Sequence, residues 1–242
     1  MVAFYYFSET VQKGENMYQT LLLDVDGTLL DFEMSQHMAL GQAFQRFGYP
    51  LTEQTRSLYN EINHALWKQY ERGEVTRETV IYSRFEKLFQ AIGVEEDCVA
   101  FEEIYQDLLG SGAYLLEGAM ELVEYLYGKY ELYIITNGVS DTQRRRLRDS
   151  GLAPFMKDFF ISEELGVQKP QREYFDACLA RMGSFVDKQK LLIIGDTLSS
   201  DILGGIHAGI DTCWYNPGYL PADSQIPATI EVHSFQELME LL

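Results

Sequence analysis

Cysteine is scarce: Cys98, Cys178 and Cys213 are the only ones in 242 residues, and no two form a C-x-x-C pair. An odd, scattered set fits a reduced, cytoplasmic protein better than a disulfide framework. Long apolar runs are missing as well. Val2 to Phe7 is apolar, but it lacks a basic start and is broken by Ser8 and Glu9. It makes a poor signal peptide and is far too short to span a bilayer. Basic charge is in short supply, with 19 lysines and arginines against 37 acids and a formal net charge of -18. Such a chain repels polyanions at long range, which disfavours nucleic acid and anionic membranes as partners. A small anion is a different case, because a few donors and one metal ion can reverse the field inside a pocket. Otherwise the acidity reads as solubility. The histidines, His37, His64, His207 and His233, show no metal-ligand spacing.

What is present is enough for a real core, with 46% apolar and 13% aromatic residues. Thr20 to Val25 is a short apolar run closed by Asp26-Gly27 and reads as a buried strand. Tyr130 to Ile135, Leu191 to Ile194, Thr212 to Tyr215 and, more weakly, Phe159 to Ser162 read the same way. Helical segments lie between them, at about Gly118–Tyr127, Ser140–Ser150, Arg172–Met182 and Ser200–Ala208. Ser140 and Ser200 suit N-caps, and Gly151 and Gly209 suit terminators. Strands alternating with single helices imply an α/β fold, a Rossmann-like parallel sheet. Phe235 to Leu242 reads as a closing helix.

The alternation breaks after the first strand. Met34–Phe47, Thr52–Arg72, Thr76–Ile92 and Cys98–Leu109 all read as helices with no strand among them. They predict an inserted all-α cap over residues 32–114. The core is then discontinuous, formed by 17–31 and 115–242, with 1–16 as an N-terminal extension.

Polar residues follow the strong strands. They are Asp24-Val25-Asp26-Gly27-Thr28 after the first, Thr136-Asn137-Gly138 after the second, and Gly195-Asp196 through Asp201 after the fourth. In a parallel sheet these ends share one edge, where ligands bind at the reversal of strand order. Lys169-Pro170, in a loop before a helix, can reach the same edge. Four carboxylates, those of Asp24, Asp26, Asp196 and Asp201, would repel one another in one crevice. A hard cation with oxygen ligands resolves this, and Mg²⁺ prefers one or two carboxylates plus phosphate oxygens. Thr136, Lys169 and the backbone N–H groups near Gly27 and Asn137 supply donors for a phosphate. Together these make a phosphoryl-transfer site for a small phosphate ester.

D-V-D-G-T, T-N, K-P and G-D-x-x-x-x-D, in that order, resemble the haloacid dehalogenase-like hydrolase superfamily over about Met17 to Leu242. The resemblance implies Asp24 as the nucleophile that becomes an aspartyl phosphate. It implies Asp26 as general acid and base, and as the donor of a backbone carbonyl to the metal. Thr136, Asn137 and Lys169 would bind the phosphoryl group. Asp24, Asp26 and Asp196 would hold Mg²⁺, with Asp201 acting behind them through water or Lys169. Dehalogenating members lack the second aspartate, so Asp26 excludes dehalogenation. T-L-L-L-D-V-D-G-T-L-L-D-F, I-I-T-N-G-V-S-D-T-Q, R-L-R-D-S-G-L, Q-K-P and D-T-C-W-Y-N-P are similar to the pyrimidine nucleoside 5′-monophosphatases, associated with house-cleaning of noncanonical nucleotides. A phosphomutase or a sugar-phosphate phosphatase of the same superfamily is the alternative.

Other features have plainer readings. Asp201 also suits a helix cap near Ser200. Arg144, Arg145, Arg146 and Arg148 read as a solvated helix face. Gly204 to Gly209 follows no strand and serves helix packing. The aromatics of the insertion are core at helical spacing, with Trp67 or Phe32 also suited to stack on a base.

Overall fold

Short apolar strands cannot stand alone in water, and here six of them pair into one sheet. The computed structural model describes residues 17–183 and 186–242, so the extension assigned to 1–16 lies outside the described residues. The strands are β1 (Thr20–Leu23), β2 (Glu131–Thr136), β3 (Asp158–Ile161), β4 (Leu191–Gly195), β5 (Asp211–Tyr215) and β6 (Ile230–Val232). Their order is β3-β2-β1-β4-β5-β6, and every neighbouring pair is parallel. The direction of winding reverses between β1 and β4, the crevice where α/β sheets bind ligands. Leu23, the last residue of β1, lies beside both Ile134 and Ile194, so β2 and β4 end only two and one residues further on and the residues after all three strands emerge at one edge.

Alternation along β1 splits the core. Leu21 and Leu23 face one side, with Leu132, Ile134, Leu192 and Ile194. Helices α5 (Ala119–Leu126), α6 (Ser140–Asp149) and α10 (Phe235–Leu241) cover that face. Leu22 faces the other side with Ile135 and Ile193. There α8 (Arg172–Met182) contributes Tyr174, Phe175 and Cys178, and α9 (Leu203–Ala208) contributes Ala208. A one-turn helix, α7 (Ser162–Leu165), follows β3.

Between β1 and α5 come the four helices of the cap, α1 (Phe32–Arg46), α2 (Glu53–Glu71), α3 (Arg77–Ile92) and α4 (Cys98–Gly110). Each starts on a side-chain cap, Asp31, Thr52, Thr76 and Asp97, whose oxygen accepts an otherwise orphaned first-turn N–H. Their apolar faces meet in an aromatic core of Phe44, Tyr59, Phe85, Phe89, Phe101 and Tyr105.

Three local expectations need correction. Ser140 is the first residue of α6 rather than its cap. Its hydroxyl donates to Glu164 and its N–H to Glu163, so it is spent on a neighbouring element. Ser200 does not cap a helix either. It sits inside a π-helical turn over Leu198–Ile202 that runs into α9. The wide turn swings Asp201 back to accept from the Thr197 N–H at 3.1 Å. Strand β6 was not anticipated, because three residues with an exposed Glu231 at a sheet edge carry too little pattern to register.

Candidate active site

Asp24 directly follows β1, and its N–H donates to the Ile194 carbonyl, so the residue is pinned between the two central strands. Lys169 Nζ donates to Asp24 Oδ1 at 2.6 Å and to Asp201 Oδ1 at 2.6 Å, with all three side chains buried. Oxygens of Asp24, Asp196 and Asp201 lie within 4.8 Å of one another. Thr28 bridges Asp24 and Asp196 with two long contacts of 3.4 Å. Two glycines make this crowding possible. A Cβ on Gly27, which has φ +83°, would lie 2.4 Å from an Asp196 oxygen, and one on Gly195 would lie 2.4 Å from the Asp201 carboxylate.

Electrostatics follow from one ammonium among three carboxylates. Burial pushes Asp24 well above the usual carboxylate range, with Lys169 opposing and Asp201 and Asp196 reinforcing. Burial, then Asp201, raises Asp196 to about 7. Burial would lower the Lys169 ammonium, but Asp201 and Asp24 reverse this and hold it above its ordinary value. Excess negative charge in a set of oxygen donors is what a hard divalent cation satisfies, and these carboxylates fit Mg²⁺.

The remaining predicted residues converge here too. Thr136 closes β2, and its Oγ1 accepts from Gln143 Nε2 at 2.9 Å. Asn137 and Lys169 exchange two bonds of 2.9 Å between the asparagine amide and the lysine backbone, so the Asn137 side chain shapes the lysine loop. The W-Y-N-P stretch also braces the site, since Trp214 Nε1 donates to the Asp196 carbonyl at 2.8 Å. Asp26 has partners other than Lys169. It accepts from Gln143 Nε2 at 2.8 Å and forms an ion pair with Arg146.

Arg146 overturns part of the solvated-face reading. The side chains of Arg144, Arg145 and Arg148 are 44%, 38% and 68% exposed and pair with surface acids, whereas that of Arg146 is 1% exposed. Its Nε donates to the Gly112 carbonyl at 3.0 Å and Nη2 to Ser35 at 3.3 Å, so it ties Asp26 to both ends of the cap. The helix phase carried the signal. Leu147 is the one strongly apolar residue of α6, and Gln143 and Arg146 flank it on the same face.

The cap closes over this crevice and leaves a cavity of about 170 Å³. Asp24, Asp26, Thr136 and Lys169 line its floor, and Phe32, Trp67, Glu71, Arg84, Gln106 and Leu109 line the cap side. Both suggested stacking aromatics thus border it. Glu71, Arg84 and Gln106 were not singled out by sequence. Glu71 accepts from Ser199 at 2.8 Å, and burial raises its carboxyl. Gln106 accepts from Thr142 at 2.8 Å, another bond between cap and core.

A parallel sheet with acids and a lysine at its switch point, roofed by an inserted helical cap, defines a capped Rossmann-like hydrolase. The sequence profile of the haloacid dehalogenase-like hydrolases matches residues 18–209, and the chain belongs to that family. It is 44% identical to the HAD-hydrolase YfnB of Bacillus subtilis (strain 168), over 93% of this chain and 95% of YfnB. A crystal structure of YfnB bound to magnesium superposes with a TM-score of 0.88, covering 93% of this chain and 99% of that one. The pyrimidine 5′-nucleotidase PynA of Streptococcus pneumoniae (strain ATCC BAA-255 / R6) is 38% identical over 93% of this chain and 95% of PynA. The pyrimidine 5′-nucleotidase YjjG of Escherichia coli (strain K12) is 34% identical over 92% and 96%. Among the described residues, no helix is long and apolar enough to cross a membrane.

Proposed function

We propose that this chain is a magnesium-dependent phosphatase that hydrolyses a pyrimidine nucleoside 5′-monophosphate through an aspartyl phosphate on Asp24. The observation that carries the reading is the pair of 2.6 Å bonds from Lys169 to Asp24 and Asp201, made beside Asp196 at the switch point. Asp24 and Asp196, with the backbone carbonyl of Asp26, would hold Mg²⁺, and Asp201 would act behind them through Lys169. Once bound, the ion draws charge off the phosphoryl oxygens.

The chain's own groups do the rest. An Asp24 oxygen bonds to phosphorus as the ester P–O bond breaks, and Asp26 gives the leaving oxygen its proton. Asp26 then takes a proton from water, whose oxygen attacks the aspartyl phosphate, freeing Asp24 and inorganic phosphate. Thr136, the Asn137 N–H and Lys169 donate to the phosphoryl oxygens. Gln143 and Arg146 hold the Asp26 carboxylate by its two oxygens. The cap keeps bulk water from the intermediate. The choice of substrate is supported by the activities for which PynA and YjjG are named, at 38% and 34% identity.

Asp24→Asn removes the nucleophile with little change in shape. Turnover should fall at least about a thousandfold, measured as phosphate release. A folded variant with substantial residual activity on p-nitrophenyl phosphate rejects the assignment. Substrate choice is tested by phosphate release over nucleoside monophosphates and sugar phosphates. Strong preference for UMP, dUMP or dTMP supports the reading, whereas preference for a two-carbon or hexose phosphate overturns it. Isomerised product without free phosphate would identify a mutase.

A further inference from the structure

A further buried ion pair lies in the roof of the same cavity. Arg84 on α3 and Glu102 on α4 have side chains only 2% exposed. Arg84 Nε donates to Glu102 Oε2 at 2.8 Å, and Nη2 donates to Oε1. Nη1 donates to Asn63 at 3.1 Å. Of the five guanidinium N–H groups, these bonds leave two. Arg84 lines the cavity, and the plane of its fork is fixed by Glu102, by Asn63 and by the Tyr105 ring 4.8 Å beneath it.

The charge balance of this pair decides what it can receive. An arginine with no counter-ion would draw a carboxylate or a second phosphate. Arg84 is neutralised by Glu102, so it offers oriented donors without net positive charge. Trp67, Phe32 and Leu109 on the same roof are flat or apolar. Apolar walls with a few fixed donors suit an uncharged planar ring that carries carbonyl acceptors. A leaving group with its own carboxylate would meet Glu71 and an arginine already neutralised, with no free positive charge on the roof to receive it.

We infer that Arg84, locked by Glu102 and Asn63, is the specificity-determining residue of the cap and donates to a ring carbonyl of the base in the departing nucleoside. The inference rests on the nucleotidase reading. Its test compares UMP with ribose 5-phosphate, which keeps the sugar and phosphate but lacks the base. Removing Arg84 alone would strand a buried Glu102, so the first variant is Arg84→Met with Glu102→Met. The second is Arg84→Lys, which keeps the charge and loses the planar fork. In the double variant, the ratio of kcat/KM for UMP to that for ribose 5-phosphate should fall by about ten- to a hundredfold. In Arg84→Lys it should fall by a smaller factor. Circular dichroism confirms folding in each case. A folded variant of either kind that retains the wild-type ratio overturns the role of Arg84 and leaves the nucleotidase reading standing. A wild-type enzyme with no preference for UMP overturns both.

Discussion

Three buried cations, Lys169, Arg84 and Arg146, border one cavity, and the first two differ in the charge balance of their surroundings. In the core, Lys169 faces Asp24 and Asp201 directly, with Asp196 beside them. In the cap, Arg84 faces Glu102 alone, with the neutral amide of Asn63 as third partner. The first cluster carries surplus negative charge, which a cation would balance. The second is neutral as it stands. On the proposed function, the surplus cluster around Lys169 would carry out the chemistry, and the balanced Arg84–Glu102 pair would hold the departing group. Burial alone does not separate the two, since the Lys169 and Arg84 side chains are each only 2% exposed.

The largest test of that contrast is Lys169→Met. It leaves three carboxylates without their ammonium and should cost about 3–5 kcal/mol of stability, seen as a large drop in Tm, together with nearly all turnover. A Tm close to wild type would mean that the core cluster is not held by Lys169.

A smaller effect is expected from pH in magnesium-free protein. Asp196 has a folded pKa of about 7 against an ordinary 3.8. The folded state therefore binds more protons between those values. The stability contribution is fully present below about 4 and is lost as pH climbs through about 7. Asp24 is raised by the same cause and adds in the same direction. The Tm of EDTA-treated protein should therefore decline from pH 5 to 8. Mg²⁺ added at pH 8 should restore it by binding the ionised form. A Tm that rises steadily over this range and ignores Mg²⁺ would contradict the surplus-charge account.

The smallest effect belongs to the balanced pair. Replacing both partners, Arg84→Met with Glu102→Met, should change stability by no more than about 1–2 kcal/mol, because desolvation nearly cancels attraction in a buried pair. Chemical denaturation measures it. A loss as large as that of Lys169→Met would erase the distinction between the two clusters.

Much of the core cluster was legible beforehand. Asp24, Thr136 and Asp196 follow or close apolar strands, and parallel strands send such residues to one edge. Lys169 was marked by the loop it occupies before a helix. The cap cluster was not legible. Charged residues on helices are mostly solvated, and only the packing of α3 on α4 buries Arg84 and Glu102. Arg146 was hidden among three similar arginines for the same reason. The helix N-termini show the same limit. Thr52, in the cap, caps its helix through its own hydroxyl, whereas Ser140 bonds to acids on α7 that no local pattern names.

Sequence alone determined the alternating strands and helices, the inserted helical segment and the acids and lysine at the strand ends, because those depend on local periodicity and on the direction of a parallel sheet. Tertiary structure decided which charges are buried, which partner each one meets and what the roof of the cavity offers. Those outcomes depend on the phase at which one helix packs against another, and a rotation of one residue, about 100° around an α-helix, turns a solvated arginine into a buried one.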